Sequence, residues 1–144
     1  MTGIPGIFLD GKGWAGDGPG EPVNNPATGE RILDLASSSG PQVDAAVQSA
    51  QRAFAGWSAM PPRERSVRML GIAERIAACS EELAQLETSN CGKPLSEARN
   101  VDVGNTVDVF RFFAGAIRTM SGLTAGEYRN PGYTSMQRRD PLGV

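Results

Sequence analysis

The sequence ends Arg138-Arg139-Asp140-Pro141-Leu142-Gly143-Val144. A polar strand runs into an apolar Leu-Gly-Val, which reads as the first residues of a new β-unit. The expectation is a chain that belongs to a longer whole. Working back, Tyr133 to Arg139 reads as a strand, with Thr134, Met136 and Arg138 on one face and Tyr133, Ser135, Gln137 and Arg139 on the other. Neither face is apolar, so the strand is expected to pair with something outside its own core. Leu123 to Gly132, just before it, reads as a loop.

Four helices are expected upstream. In the last, Val103, Val107, Phe110, Ala114 and Ile117 recur at steps of three and four, with Ser96 at the start and Gly122 as the stop. A short helix before it carries Leu83 and Leu86, capped by Ser80 and ended by Gly92 in the left-handed region, with Pro94 beyond. The helix from Pro61-Pro62 aligns Val67, Leu70, Ala73, Ile76 and Ala77. The first helix aligns Val43, Ala46, Val47, Ala50, Ala53, Phe54 and Trp57, with Ser39 as N-cap and Pro41 in the first turn. Residues 1–40 read as short strands and turns. Phe8 to Trp14 forms a hairpin turning at Asp10-Gly11. Asn24 to Glu30 is a second turn, followed by a strand from Arg31 to Leu35.

Composition sets the broad class. Of 144 residues, 40% are hydrophobic and 21% charged, ordinary values for a globular domain. A net charge of −2 gives no reason to expect nucleic acid. No apolar run is long enough to span a bilayer, and Met1 to Leu9 lacks the pattern of a secretory leader. The expected location is cytoplasmic, with no membrane or nucleic-acid partner. The chain has no His, which removes the commonest general base and zinc ligand. Its two cysteines, Cys79 and Cys91, are too few for a disulfide framework. Both are expected to be structural, Cys79 by packing among Ile76, Ala77 and Ala78. Lys93 is expected to serve the carbonyls that end a helix. Phe110, Phe112 and Phe113 are expected to pack in a core.

Three strings carry a family resemblance. Asn25-Pro26-Ala27-Thr28-Gly29-Glu30, Asn90-Cys91-Gly92-Lys93-Pro94-Leu95 and Arg138 to Val144 stand in the order and at the separations of the aldehyde dehydrogenase family. Phe54-Ala55-Gly56-Trp57 and Arg111-Phe112-Phe113-Ala114-Gly115 lie between them. The chain resembles the N-terminal segment of that family over nearly its whole length. The finer likeness, in Val107 to Gly115 and Gly122 to Tyr128, is to γ-aminobutyraldehyde dehydrogenases of putrescine breakdown, enzymes of the aminoaldehyde and betaine-aldehyde type. The resemblance implies an α/β fold of β-hairpins, four helices and a first oligomerisation strand, truncated before the Rossmann-like core. It implies a division into 1–132, the N-terminal part of the cofactor-binding domain, and 133–144, the oligomerisation strand and the start of the next unit. Residues 133–139 would join a homo-oligomer by extending a partner's sheet.

The implied reaction is oxidation of an aldehyde such as 4-aminobutanal to its acid. A cysteine thiolate forms a thiohemiacetal, hydride passes to NAD(P)+, and an activated water releases the product. The family's nucleophile, base and main NAD or NADP contacts fall beyond the position of Val144. This chain is therefore expected to carry no catalytic residue and to be inactive alone. What the resemblance places within it is the mouth of the substrate tunnel, at Val101, Asp102 and Asn105. Asp102 would pair with a substrate ammonium, with Asp108 as second choice. Six residues apart, the two lie about 240° around a straight helix and cannot share one ligand. Some similar enzymes hold a monovalent cation on carbonyls matching Val23 and Asn24 and a carboxylate matching position 90. Asn90 offers only a neutral acceptor there, which weakens that site. A different class of reading is a non-catalytic helical interaction module.

Overall fold

The computed structural model describes residues 6–127 and 132–144. Among the described residues, two two-stranded antiparallel ribbons precede the helices and a third follows them. The first pairs β1 (Ile7–Leu9) with β2 (Lys12–Trp14). Its turn is the expected Asp10-Gly11. Asp10 has φ 49° and Gly11 φ 75°, the two positive angles that a tight hairpin with right-handed twist requires. The second ribbon pairs β3 (Gly20–Asn24) with β4 (Arg31–Ala36), in the register Val23 to Leu33, and carries a bulge between Val23 and Asn24. Its turn closes on itself. Asn25 Oδ1 accepts from the Ala27 N–H at 2.9 Å, and the Asn25 carbonyl accepts from the Gly29 N–H at 2.7 Å.

Helix α1 (Gly40–Ala59) starts as expected at Ser39. Ser39 Oγ accepts from the Gln42 N–H while Gln42 Oε1 accepts from the Ser39 N–H, a reciprocal capping box. The first ribbon docks on α1 through polar contacts. Ser49 Oγ donates to Asp10 Oδ1 at 2.5 Å, and Arg52 adds an ion pair to Asp10 at 3.3 Å. The apolar stripe of α1 is left largely uncovered, with Val43, Val47 and Trp57 exposed.

Helix α2 (Pro62–Ala78) packs on α5 (Gly104–Thr119), and this pair is the main helical contact of the chain. Between α2 and α5 run α3 (Ser80–Cys91), the single turn α4 (Leu95–Glu97), and a π-helical stretch, Ala98–Val103. The core is built from small side chains. Ala73, Ala84, Ala98, Val103, Val107 and Ala114 are buried, and Ile76 and Leu95 pack against its centre. Small residues let helix axes approach closely, so contact here is made with little side-chain volume.

Several sequence expectations change. Ser80 is the first residue of α3 and not its cap; Cys79 holds the cap position without a side-chain hydrogen bond, and it is exposed, not packed. The last helix ends at Thr119, ahead of Gly122, because Met120 is already extended. Gly122 serves a close approach instead: a Cβ there would lie 2.0 Å from the Gln137 carbonyl oxygen. The expected loop contains β5 (Thr124–Glu127), which pairs with β6 (Thr134–Met136). Thr-Ala-Gly-Glu has no apolar alternation to betray a strand, and its partner supplies the structure. Residues 128–131 of that loop lie outside the described residues. The ribbon straddles the expected division at residue 132, with β5 before it and β6 after. Phe112 and Phe113 meet edge to face at 5.3 Å but are exposed, so they form no core.

The accessible surface is 11016 Å². A folded monomer of this size exposes about 7,100 Å². Side chains that a core would ordinarily cover are exposed, among them Trp57, Val67, Leu86 and Phe112.

Candidate functional site

Two turns that are far apart in sequence meet at the end of α3. Gly92 stops the helix with φ 73°, and its N–H donates to the Thr88 carbonyl at 2.9 Å. The Pro26 ring of the β3–β4 turn sits against it, 2.9 Å from where a Cβ would stand. Glycine is required twice here, by its backbone angle and by its missing side chain. The left-handed turn also reverses the chain direction. Lys93, one residue on, comes back along the helix towards α3 and the π stretch.

Lys93 Nζ donates to Asp102 Oδ2 at 2.5 Å and lies 3.2 Å from Glu87 Oε1. Its pKa is raised, first by the Asp102 hydrogen bond and then by Glu87. The expectation that Lys93 serves helix-terminal carbonyls is thus replaced by a carboxylate pair. A mixed floor of Ile76, Leu83 and Val103 lies beside these charges, with Asn105 and Thr106 at the rim of a groove of about 650 Å³. Among the described residues, the charged side chains of the groove are two carboxylates and one ammonium, so one negative charge is in excess.

The groove brings together two of the three expected tunnel residues, Asp102 and Asn105. Val101 is exposed and does not line it. The π-helical stretch sets this placement. It adds a residue to the turn and shifts the angular position of Asp102 relative to α5, where the Thr106 hydroxyl donates to the Asp102 carbonyl at 2.7 Å. A bidentate pair holds the stretch to α3: Arg99 Nε and Nη2 donate to Glu81 at 2.7 and 2.8 Å. These bonds lower the Glu81 pKa, with Arg99 the larger cause and Gln85 the next. Sequence reasoning missed Glu87 and the π stretch. Glu87 lies six residues before Lys93, a separation with no meaning until the left-handed turn folds the lysine back.

A second, apolar groove of about 380 Å³ runs between the β3–β4 ribbon and α3. Val23 and Asn90, two of the expected cation ligands, both line it, beside Leu33, Leu35 and Leu86. Asn24, the third, does not line it, and the Asn90 amide donates weakly to Cys91 Sγ at 3.8 Å. Among the described residues no three His, Cys, Asp or Glu side chains cluster as a metal site. The described residues also fail to fit a dinucleotide. All their strand pairs are antiparallel, so no parallel βαβ unit among them presents a phosphate turn.

The aldehyde dehydrogenase family model matches residues 14–144. The chain belongs to the aldehyde dehydrogenase family. It is 35% identical over 138 residues to a betaine aldehyde dehydrogenase of Vibrio vulnificus, covering 95% of this chain and 28% of that one. A betaine aldehyde dehydrogenase of Cereibacter sphaeroides is 38% identical over 138 residues, with the same coverage. Among solved structures, an aldehyde dehydrogenase variant from Bacillus cereus superposes with a TM-score of 0.84 at 30% identity, over 91% of this chain and 27% of that one. PnpE from Pseudomonas sp. WBC-3 gives a TM-score of 0.81 at 37% identity, over 86% and 26%. PnpE has also been solved in complex with nicotinamide adenine dinucleotide. This chain spans little more than a quarter of the curated relatives it matches. The fold is that of the corresponding part of an aldehyde dehydrogenase. Among the described residues, no helix is long and apolar enough to cross a membrane.

Proposed function

We propose that this chain forms the N-terminal part of a cytoplasmic homo-oligomeric enzyme that oxidises an aldehyde with a cationic far end, such as 4-aminobutanal in putrescine degradation. The acceptor is NAD(P)+, bound by polypeptide outside this chain, as is the cysteine that forms the thiohemiacetal. The observation that carries the substrate class is the excess negative charge of the groove formed by Glu87, Lys93 and Asp102. Because Lys93 already holds Asp102, the carboxylate with the weaker tie is Glu87, and it is the group offered to a substrate ammonium. The relatives named betaine aldehyde dehydrogenase support a cationic substrate. Asn105, which lines the same groove, completes the proposed tunnel mouth, and Val101 stands outside it. Residues 133–139 extend a partner's sheet, with β5 paired to them across the 132/133 division. A monovalent cation on the carbonyls of Val23 and Asn24 and the Asn90 amide is a minor part of the same reading.

The test is steady-state oxidation of 4-aminobutanal and of butanal by the native enzyme containing this chain, wild type and Glu87→Gln. The proposal expects kcat/KM to favour the aminoaldehyde, and the variant to lose several-fold of that preference while butanal oxidation stays level. Equal use of both aldehydes by the wild type would refute the substrate class. A preference untouched by Glu87→Gln would remove Glu87 from it.

A further inference from the structure

We propose that the cleft between the start of α2, the end of α5 and the segment after β6 binds a small, multiply charged oxyanion of the phosphate class. Arg65, Arg138 and Arg139 line this cleft of about 250 Å³ together with Ser121 and Gly122. Among the described residues, no carboxylate lines it. Arg138 Nε is engaged by Asp140 at 2.7 Å. Arg65 and Arg139 make no ion pair and no side-chain hydrogen bond among the described residues.

Arg65 is the more telling of the two. It is half-buried, next to buried Ser66 on α2. A guanidinium does not shed its proton at accessible pH, so it must find an acceptor or keep its water. Its planar fork of donors matches two oxygens of a phosphate or carboxylate. The cleft is also held in shape. Gln137 donates its N–H to the Leu123 carbonyl at 2.8 Å, and only a glycine at 122 allows the Gln137 carbonyl so near. That closure fixes the backbone leading into Arg138 and Arg139 opposite Arg65. The C-terminal carbonyls of α5 attract cations as well, but Arg65 hydrogen-bonds none of them. Two guanidinia from segments distant in sequence, neither in an ion pair among the described residues, therefore face one void. The site lies apart from the Glu87–Lys93–Asp102 groove and does not depend on the substrate assigned to it.

The experiment is a titration of inorganic phosphate with the native enzyme containing this chain, followed by the ³¹P resonance at constant ionic strength set with chloride. The wild-type enzyme is expected to shift and broaden the resonance saturably. Arg65→Gln and Arg139→Gln should each weaken binding by about five-fold or more. Arg31→Gln, on the β3–β4 ribbon, should leave it unchanged. Arg139 is exposed, so its replacement tests the site even where Arg65→Gln disturbs folding. A response that is absent, or that Arg139→Gln leaves intact, overturns the proposal. Glutarate displacing phosphate at lower concentration would assign the cleft to the carboxylate of a protein segment, and that too overturns it.

Discussion

Replacing Gly92 with alanine strikes the point where two of the family's turns meet. Gly92 sits at φ 73°, a region that costs a residue with a side chain about 1–2 kcal/mol. The new Cβ would also stand 2.9 Å from Pro26 Cγ, so the β3–β4 turn must retreat. Strain of both kinds sums to about 1–3 kcal/mol. Hydrogen exchange reads this locally and needs no cooperative melt. The amides to follow are Gly92, bonded to Thr88, and Asn25 and Gly29, which close the β3–β4 turn. Taking about 1.4 kcal/mol per ten-fold, their exchange should quicken roughly 5- to 150-fold in Gly92→Ala. Adding Pro26→Ala should recover the steric share and leave the backbone share. Gly92→Asn should cost less in backbone strain, since asparagine tolerates the left-handed region. Exchange within about two-fold of wild type at all three amides would refute the reasoning.

The other predictions concern docking and charge. Ser49→Ala removes the hydroxyl that donates to Asp10 and should release the first ribbon from α1, at a cost of about 1.5 kcal/mol, seen as roughly ten-fold faster exchange of the β1–β2 amides. Glu81 has a lowered pKa, so its bond to Arg99 contributes above the ordinary carboxylate pKa and is lost as pH falls through the folded value. The π-stretch amides of the wild type should therefore lose protection in acid more steeply than those of Glu81→Gln. Lys93 has a raised pKa, so its contribution is complete below the ordinary lysine value and is lost as pH rises through the folded one. Protection of the Gly92 amide should fall at strongly alkaline pH in the wild type, and Lys93→Met should lack that step.

Elements with a local cause were legible in the sequence. Asp10-Gly11 can hardly be anything but a tight turn, Ser39 with Gln42 writes its own cap, and Gly92 followed by Pro94 marks a helix end. Elements with a non-local cause were not. β5 exists because β6 lies beside it, and nothing in Thr-Ala-Gly-Glu announces it. Phe112 and Phe113 carry core-like chemistry but face outward, because periodicity records which side of a helix is apolar and not what covers it. The site divides in the same way. Asp102 and Asn105 came from the resemblance and do share a groove, while Val101 does not. Glu87 joins them only through the reversal at Gly92, and the π stretch that sets the facing of Asp102 has no sequence signature.

We propose above that this chain works as one part of a larger aldehyde-oxidising enzyme. The intact mass of the native protein from its source tests it most directly. The expected mass is several-fold above that of the 144-residue chain, in a species that oxidises 4-aminobutanal. A native mass equal to the 144-residue chain alone would contradict it.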